Sequence, residues 1–150
     1  MATVAPKYFE DISKGEIFAF PRITITATLR EAHVRLYGED WPEVALRESP
    51  QRQIIPAPLI ISVLAGQMGK SNFMRVKYMK DFSVRCCHPV YVSDTIATRN
   101  VVEEIRPHKD PTKDYGYAFI EQAVSNQEGV VCYLRRICYL IYRRASRCVV

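Results

Sequence analysis

Several features are scarce or missing in these 150 residues. No apolar run reaches the roughly 20 residues that cross a bilayer as a helix, so no membrane span is expected. No low-complexity tract or internal repeat occurs, which excludes a disordered tail protein and a repeat array. The five cysteines (Cys86, Cys87, Cys132, Cys138 and Cys148) are odd in number and lack the CxxC spacing of structural metal sites. Cys86 and Cys87 are adjacent, and on a strand they would point to opposite faces, which suits neither a shared metal nor a simple bridge. Cys148 stands third from the end, one residue short of the spacing a prenylation signal needs. With no secretory apolar region at the N-terminus, a reducing, cytoplasmic location is expected.

What is present is globular. The chain is 48% hydrophobic and 25% charged, and its net charge of +5 suits an anionic ligand without naming one. The competing reading of that charge is a solvated basic surface. The length fits one domain, 1–150, or one protomer of an oligomer.

Periodicity divides the chain in two. "ATLREAHVRLYG" has helical spacing, with Gly38 as its stop. "APLIISVLAGQMGKS", residues 57–71, is apolar nearly all round and reads as a buried helix with Pro58 in its first turn. Beyond it, "FSVRCCHPVYV", "DTIATRNVVEEI", "YGYAFIEQAVSNQ" and "VVCYLRRICYLIYRR" are rich in β-branched and aromatic residues, broken by "HKDPTKDYG" and "NQEG". One long helix followed by several long antiparallel strands predicts an α+β domain, a sheet wrapped around that helix.

Four stretches, in order, resemble the MaoC-like (hydratase 2) branch of the hotdog-fold proteins. They are "YFEDISKGEIF", "IIPAPLIIS", "VRCCHPVYVSDTI" and "AVSNQEGVVCYLRRICYLIYRR", and together they cover nearly the whole chain. The resemblance implies a hotdog fold, a curved antiparallel sheet around a long central helix, commonly dimerised by joining sheets edge to edge. It implies a lyase that adds or removes water across an enoyl or 3-hydroxyacyl thioester carried on coenzyme A or an acyl carrier protein. No metal and no cofactor is implied. A homodimer or higher homo-oligomer is expected, with no nucleic-acid or membrane partner.

That chemistry needs an acid–base group for water or the α-proton, and donors for the enolate oxygen. The family supplies the first from a Gly-Asp-x-Asn-Pro-x-His loop. Here the corresponding stretch is "LYGEDWPEVALRE". Gly38 and Pro42 match, Glu39 falls on the Asp, Trp41 replaces the Asn, and Val44 falls on the His. Shifting the frame to Asp40 puts Ala45 at the histidine position. A hydrocarbon cannot move a proton, so the standard pair is absent. Glu39 and Asp40 become the acid–base candidates, with Tyr37, Trp41 and Val44 shaping the pocket; ordinary solvated turn carboxylates are the alternative. A subgroup that hydrates branched dicarboxylic acyl thioesters of the mesaconyl type also departs after a similar "LYG", and it has a helix running to a Gly-Lys, as Gly69-Lys70 do here.

His88, beside Pro89, is the available spare base, weighed against a satisfied structural histidine. His33 reads as a helix-face residue and His108 as exposed. Ala57 takes the place of the family's Gly at the helix start, where its amide would face a thioester oxygen; Pro58 has no amide to give. Gln67, with Lys70 and Ser71, would line a flank. Asp94 reads as the structural Asp of a turn opening a strand. Arg85, Arg135, Arg136 and Lys77 are candidates for phosphate or carboxylate contacts, although strand-exposed arginines are ordinary.

Three rival functions remain. A thioesterase of this fold often carries an Asp or Glu on the central helix, and residues 57–71 have none. A non-catalytic thioester-binding or scaffold protein fits the missing histidine, and a pocket plugged by Trp41, Tyr78 or Met79 would favour it. Nucleic-acid binding is suggested by basic, tyrosine-rich strands but has no motif. The substrate is left open between acyl-CoA, a carrier-bound acyl chain and a free small molecule.

Overall fold

The computed structural model describes residues 5–38 and 52–144. A short 3-10 turn, Phe9–Asp11, leads into two brief strands, β1 (Ile17–Phe18) and β2 (Ile23–Thr24). Two helices follow, α1 (Ala27–Tyr37) and α2 (Ala57–Ser71). Four long strands follow: β3 (Val76–Cys86), β4 (Thr95–Pro107), β5 (Tyr115–Ser125) and β6 (Val131–Tyr142). They form one antiparallel sheet in the order β1-β4-β5-β6-β3, with β2 also paired to β4. This is the expected hotdog arrangement, a sheet around the long helix.

The helix boundaries have local causes. Thr26 caps α1 through its hydroxyl, which accepts from the Leu29 amide at 3.2 Å. Gly38 ends α1 with φ of 70°, a left-handed position where glycine avoids the Cβ clash. At the start of α2, Pro58 supplies a ready-made helical φ where an N–H would have no intrahelical partner.

Alternation on the central strand β5 is strict, with Gly116, Ala118, Ile120, Gln122 and Val124 turned to the helix side. Gly116 is required there by crowding: a Cβ would lie 2.3–2.7 Å from ring atoms of Phe9. The helix-side core consists of two apolar clusters. One gathers Phe18, Val102, Ile120, Ile137, Tyr139 and Ile141; the other gathers Ile25, Ile55, Leu59, Leu64, Val124 and Tyr133. Each fully buried Leu or Ile contributes roughly 1.5–3 kcal/mol.

Two expectations need correction. The helix α2 is not buried all round: Leu59, Ile60, Leu64 and Met68 are buried, whereas Ser62, Ala65, Gly66 and Gly69 are exposed. The second face is therefore apolar and open in the protomer. The stretch "FSVRCCHPVYV" is not one strand. β3 starts earlier, at Val76, and ends at Cys86, and the chain then breaks before a separate bridge at Tyr91. On its outer side β3 has no strand neighbour among the described residues. The four described cysteines are free. No helix among the described residues is long and apolar enough to cross a membrane.

Candidate functional site

The start of α2 is built by long-range pairing. Residues 53–55 lie antiparallel to 90–92: the Ile55 amide donates to Val90 O at 2.8 Å, and the Val92 amide donates to Gln53 O at 2.9 Å. Ile54 and Tyr91 form the bridge between them. Beyond the pairing the His88 amide donates to Cys132 O at 3.2 Å, and the pairing itself leads residues 53–55 into the first turn of the central helix.

That turn has one uncommitted donor. The Leu59 and Ile60 amides both donate to Pro56 O, Pro58 has no N–H, and the Ala57 amide makes no hydrogen bond among the described residues. The aligned peptide dipoles of α2 make this end partially positive, so the free N–H suits a developing oxyanion. His88 is exposed, with Nδ1 3.0 Å from the carbonyl oxygen of Pro89. A carbonyl only accepts, so Nδ1 is the donor in this contact, and the tautomer with its proton there has its lone pair on Nε2.

The surroundings are held by Asp94, 1% exposed at the turn before β4. Its carboxylate accepts from the Tyr91 amide at 2.9 Å, from Gln127 Nε2 at 2.9 Å and from Arg52 Nη2 at 3.0 Å. Gln127 Oε1 in turn accepts from the Thr95 amide at 3.0 Å. One carboxylate therefore joins the approach to α2, the β4 turn and the β5–β6 hairpin, which is a structural task. Arg30 Nε donates to Ile54 O at 3.0 Å and ties α1 to the same segment.

The remaining expected residues fall in different places. Glu39, Asp40, Trp41 and Val44 lie outside the described residues. Tyr37 ends α1, is 70% exposed, and has its ring 4.9 Å from that of His33, which is buried rather than on an open helix face. Gln67 is ten residues beyond Ala57, about 15 Å along the helix, and its Nε2 donates to Pro21 O at 2.8 Å. It is not brought to the start of the helix. Near the other end of α2 a cleft of about 480 Å³ opens between helix and sheet, lined by Ala65, Met68, Met74, Met79 and Tyr139. Met79 forms part of its wall, while Tyr78 pairs with the outward-facing Leu140, is 54% exposed and does not plug it. Burial pushes the Tyr139 phenol up, and the positive charge of Arg135 pulls it partly back.

The four candidate cations also separate. Lys77 bonds Asp114 at 2.7 Å, Arg136 reaches Glu103 at 3.7 Å and Glu121 at 3.9 Å, and Arg85 is exposed. Arg135 is the exception to the expectation of strand-exposed arginines, being 1% exposed on the helix side of β6. It ends a polar row across the sheet. Asn100 Nδ2 donates to Phe18 O at 3.1 Å, Gln122 Nε2 donates to Asn100 Oδ1 at 2.7 Å, and Arg135 Nη1 donates to Gln122 Oε1 at 2.9 Å. Alternation in "YLRRICYL" signals that one of two adjacent arginines turns inward; it does not say which.

No family model and no curated protein matches the sequence. Solved structures do match. A monoamine oxidase regulatory protein from Archaeoglobus fulgidus superposes with a TM-score of 0.81 at 23% identity, covering 96% of this chain and 99% of the other. A MaoC-like dehydratase from Rhodospirillum rubrum gives 0.80 at 16% identity, covering 93% and 99%. A double hotdog protein from Mycobacterium tuberculosis gives 0.81 at 21% identity, covering 94% of this chain and 46% of the other. The fold is therefore the hotdog fold in the form that MaoC-like dehydratases have.

Proposed function

We propose that this protein is a hydratase or dehydratase that adds or removes water at an acyl thioester, with a rebuilt acid–base site. The observation that carries the reading is the uncommitted Ala57 amide at the positive end of the central helix, in a fold shared with a MaoC-like dehydratase. The Ala57 N–H takes the thioester oxygen as it gains enolate charge. A donor of this kind contributes about 10²–10³ in rate. Proton transfer at the α-carbon and activation of water fall to Glu39 or Asp40, with His88 Nε2 as the second base; each such group contributes about 10²–10⁴. The protomer pairs with a second copy through the open edge of β3 and the exposed face of α2, consistent with the double hotdog neighbour, in which this chain matches about half.

One observation favours a second reading, a thioester-binding protein without turnover: Val44 stands where the resemblance implies the catalytic histidine. The two are separated by following the ultraviolet absorbance of enoyl-CoA substrates, straight, branched and dicarboxylic, on wild type, Glu39→Gln, Asp40→Asn and His88→Gln. A folded variant that loses at least about 100-fold in turnover names the acid–base residue. Binding without turnover on any substrate moves the assignment to the non-catalytic reading.

A further inference from the structure

Asn100 and Gln122 spend both ends of their side-chain amides within the buried row, but Arg135 does not. Among the described residues only its Nη1 is engaged, and Nε and Nη2 are buried without an acceptor. These two nitrogens share one edge of the planar guanidinium, and their parallel N–H bonds form the fork that matches the two oxygens of a carboxylate. Holding a cation out of water with two donors unpaired is costly, and burial pulls the Arg135 pKa down accordingly. A purely structural arginine would be expected to use that edge.

Side chains of β3 border the fork on the same face. Phe82 and Val84 of β3 lie beside Ile137 and Arg135 of β6. The Phe82 ring centre is 6.0 Å from the guanidinium carbon, and Phe82 is itself 43% exposed. The side chain covering the charge is therefore half-exposed on the helix face of β3 in the protomer. Tyr139, on the same face of β6, lies in the wall of the helix–sheet cleft and senses the Arg135 charge.

We infer that the Nε/Nη2 edge of Arg135 binds a carboxylate of the ligand, so that the substrate carries an anionic group in addition to its reacting acyl function. The inference rests on the thioester reading for the identity of that second function. The carboxylate end orients the substrate in the layer between helix and sheet, and a ligand ending in methyl leaves the fork unpaired. Arg135 is a specificity residue.

The test titrates the full-length protein calorimetrically with glutaryl-CoA and valeryl-CoA, saturated thioesters of equal chain length that end in carboxylate and methyl and cannot be hydrated. Glutaryl-CoA should bind about 10- to 100-fold tighter, as expected for hydrogen bonds to a charged group. Arg135→Gln, which keeps a donor for Gln122, should bring the ratio near one. Arg135→Lys keeps the charge without the fork and should retain only part of the preference. Equal binding of the two thioesters by wild type overturns the inference. So does a folded Arg135→Gln variant that keeps the ratio and changes only stability or oligomeric state. If neither thioester binds, the thioester reading falls, and thermal shift with glutarate against glutaramide then decides the carboxylate site alone. A shift with glutarate that disappears in the Arg135 variants supports it, and no shift overturns it.

Discussion

Replacing Asp94 by alanine removes the acceptor for three donors at once and leaves the Tyr91 amide and the Gln127 side chain without it. Each hydrogen bond to a buried carboxylate is worth about 1.5–3 kcal/mol. The Arg52 contact adds little, because its side chain is 48% exposed and the pair is screened by water. The summed loss is roughly 3–6 kcal/mol, a fall in Tm on the order of 10 °C for a domain of this size. Asp94→Asn should cost less. Its oxygen can still serve Gln127 and Arg52, but its amide then meets the Tyr91 N–H, donor against donor. Urea unfolding followed by far-ultraviolet circular dichroism measures all three proteins, with Arg52→Ala as the control for the screened pair. The reasoning is refuted if Asp94→Ala loses less than about 1 kcal/mol, or if Arg52→Ala costs as much. Either result would mean that the three segments are held together by packing rather than by the carboxylate.

Gly116→Ala drives a methyl into the Phe9 ring, so it should destabilise the fold by about 1–3 kcal/mol; thermal unfolding checks this, and Phe9→Leu in the same chain should restore part of the loss. Acid should weaken the fold through three carboxylates whose pKa values lie below the ordinary 3.8: Asp11 through the Arg144 hydrogen bond, Asp110 through Thr112 and Asp114 through Lys77. Because the folded values are the lower ones, their contribution is present above the unfolded value and disappears as pH falls through the folded ones. Stability measured from pH 6 to about pH 2 should therefore decline at the acid end, and Asp114→Asn should flatten part of that slope.

Much of the architecture was legible in the sequence because local signals agreed. Gly38 stops α1, Pro58 opens α2, and the run 57–71 coincides with Ala57–Ser71. The end of β3 was less clear, since "VRCCHPVYV" stays apolar across a break that only Pro89 hints at. The inward turn of Arg135 was hidden because β6 buries residues on both faces, Cys138 and Leu140 outward as well as Ile137 and Tyr139 inward, so hydrophobicity does not mark the core side. The approach to α2 depends on a bridge between residues 54 and 91, a pairing without local signature. Family likeness supplied the idea that the helix start matters; the free amide at Ala57 followed only from counting hydrogen bonds.

The polar row also bears on how this interior can vary. Because Asn100, Gln122 and Arg135 run between two apolar clusters, a change of side-chain volume in one is buffered from the other. Substitutions on opposite sides of the row should have nearly additive effects, whereas those within one cluster should be coupled. The cluster holding Ile55, Leu59 and Val90, beside the start of α2, can then be reshaped for a new ligand while the cluster under Met68 and Met74 keeps its own fit. The interior behaves as two separately adjustable compartments.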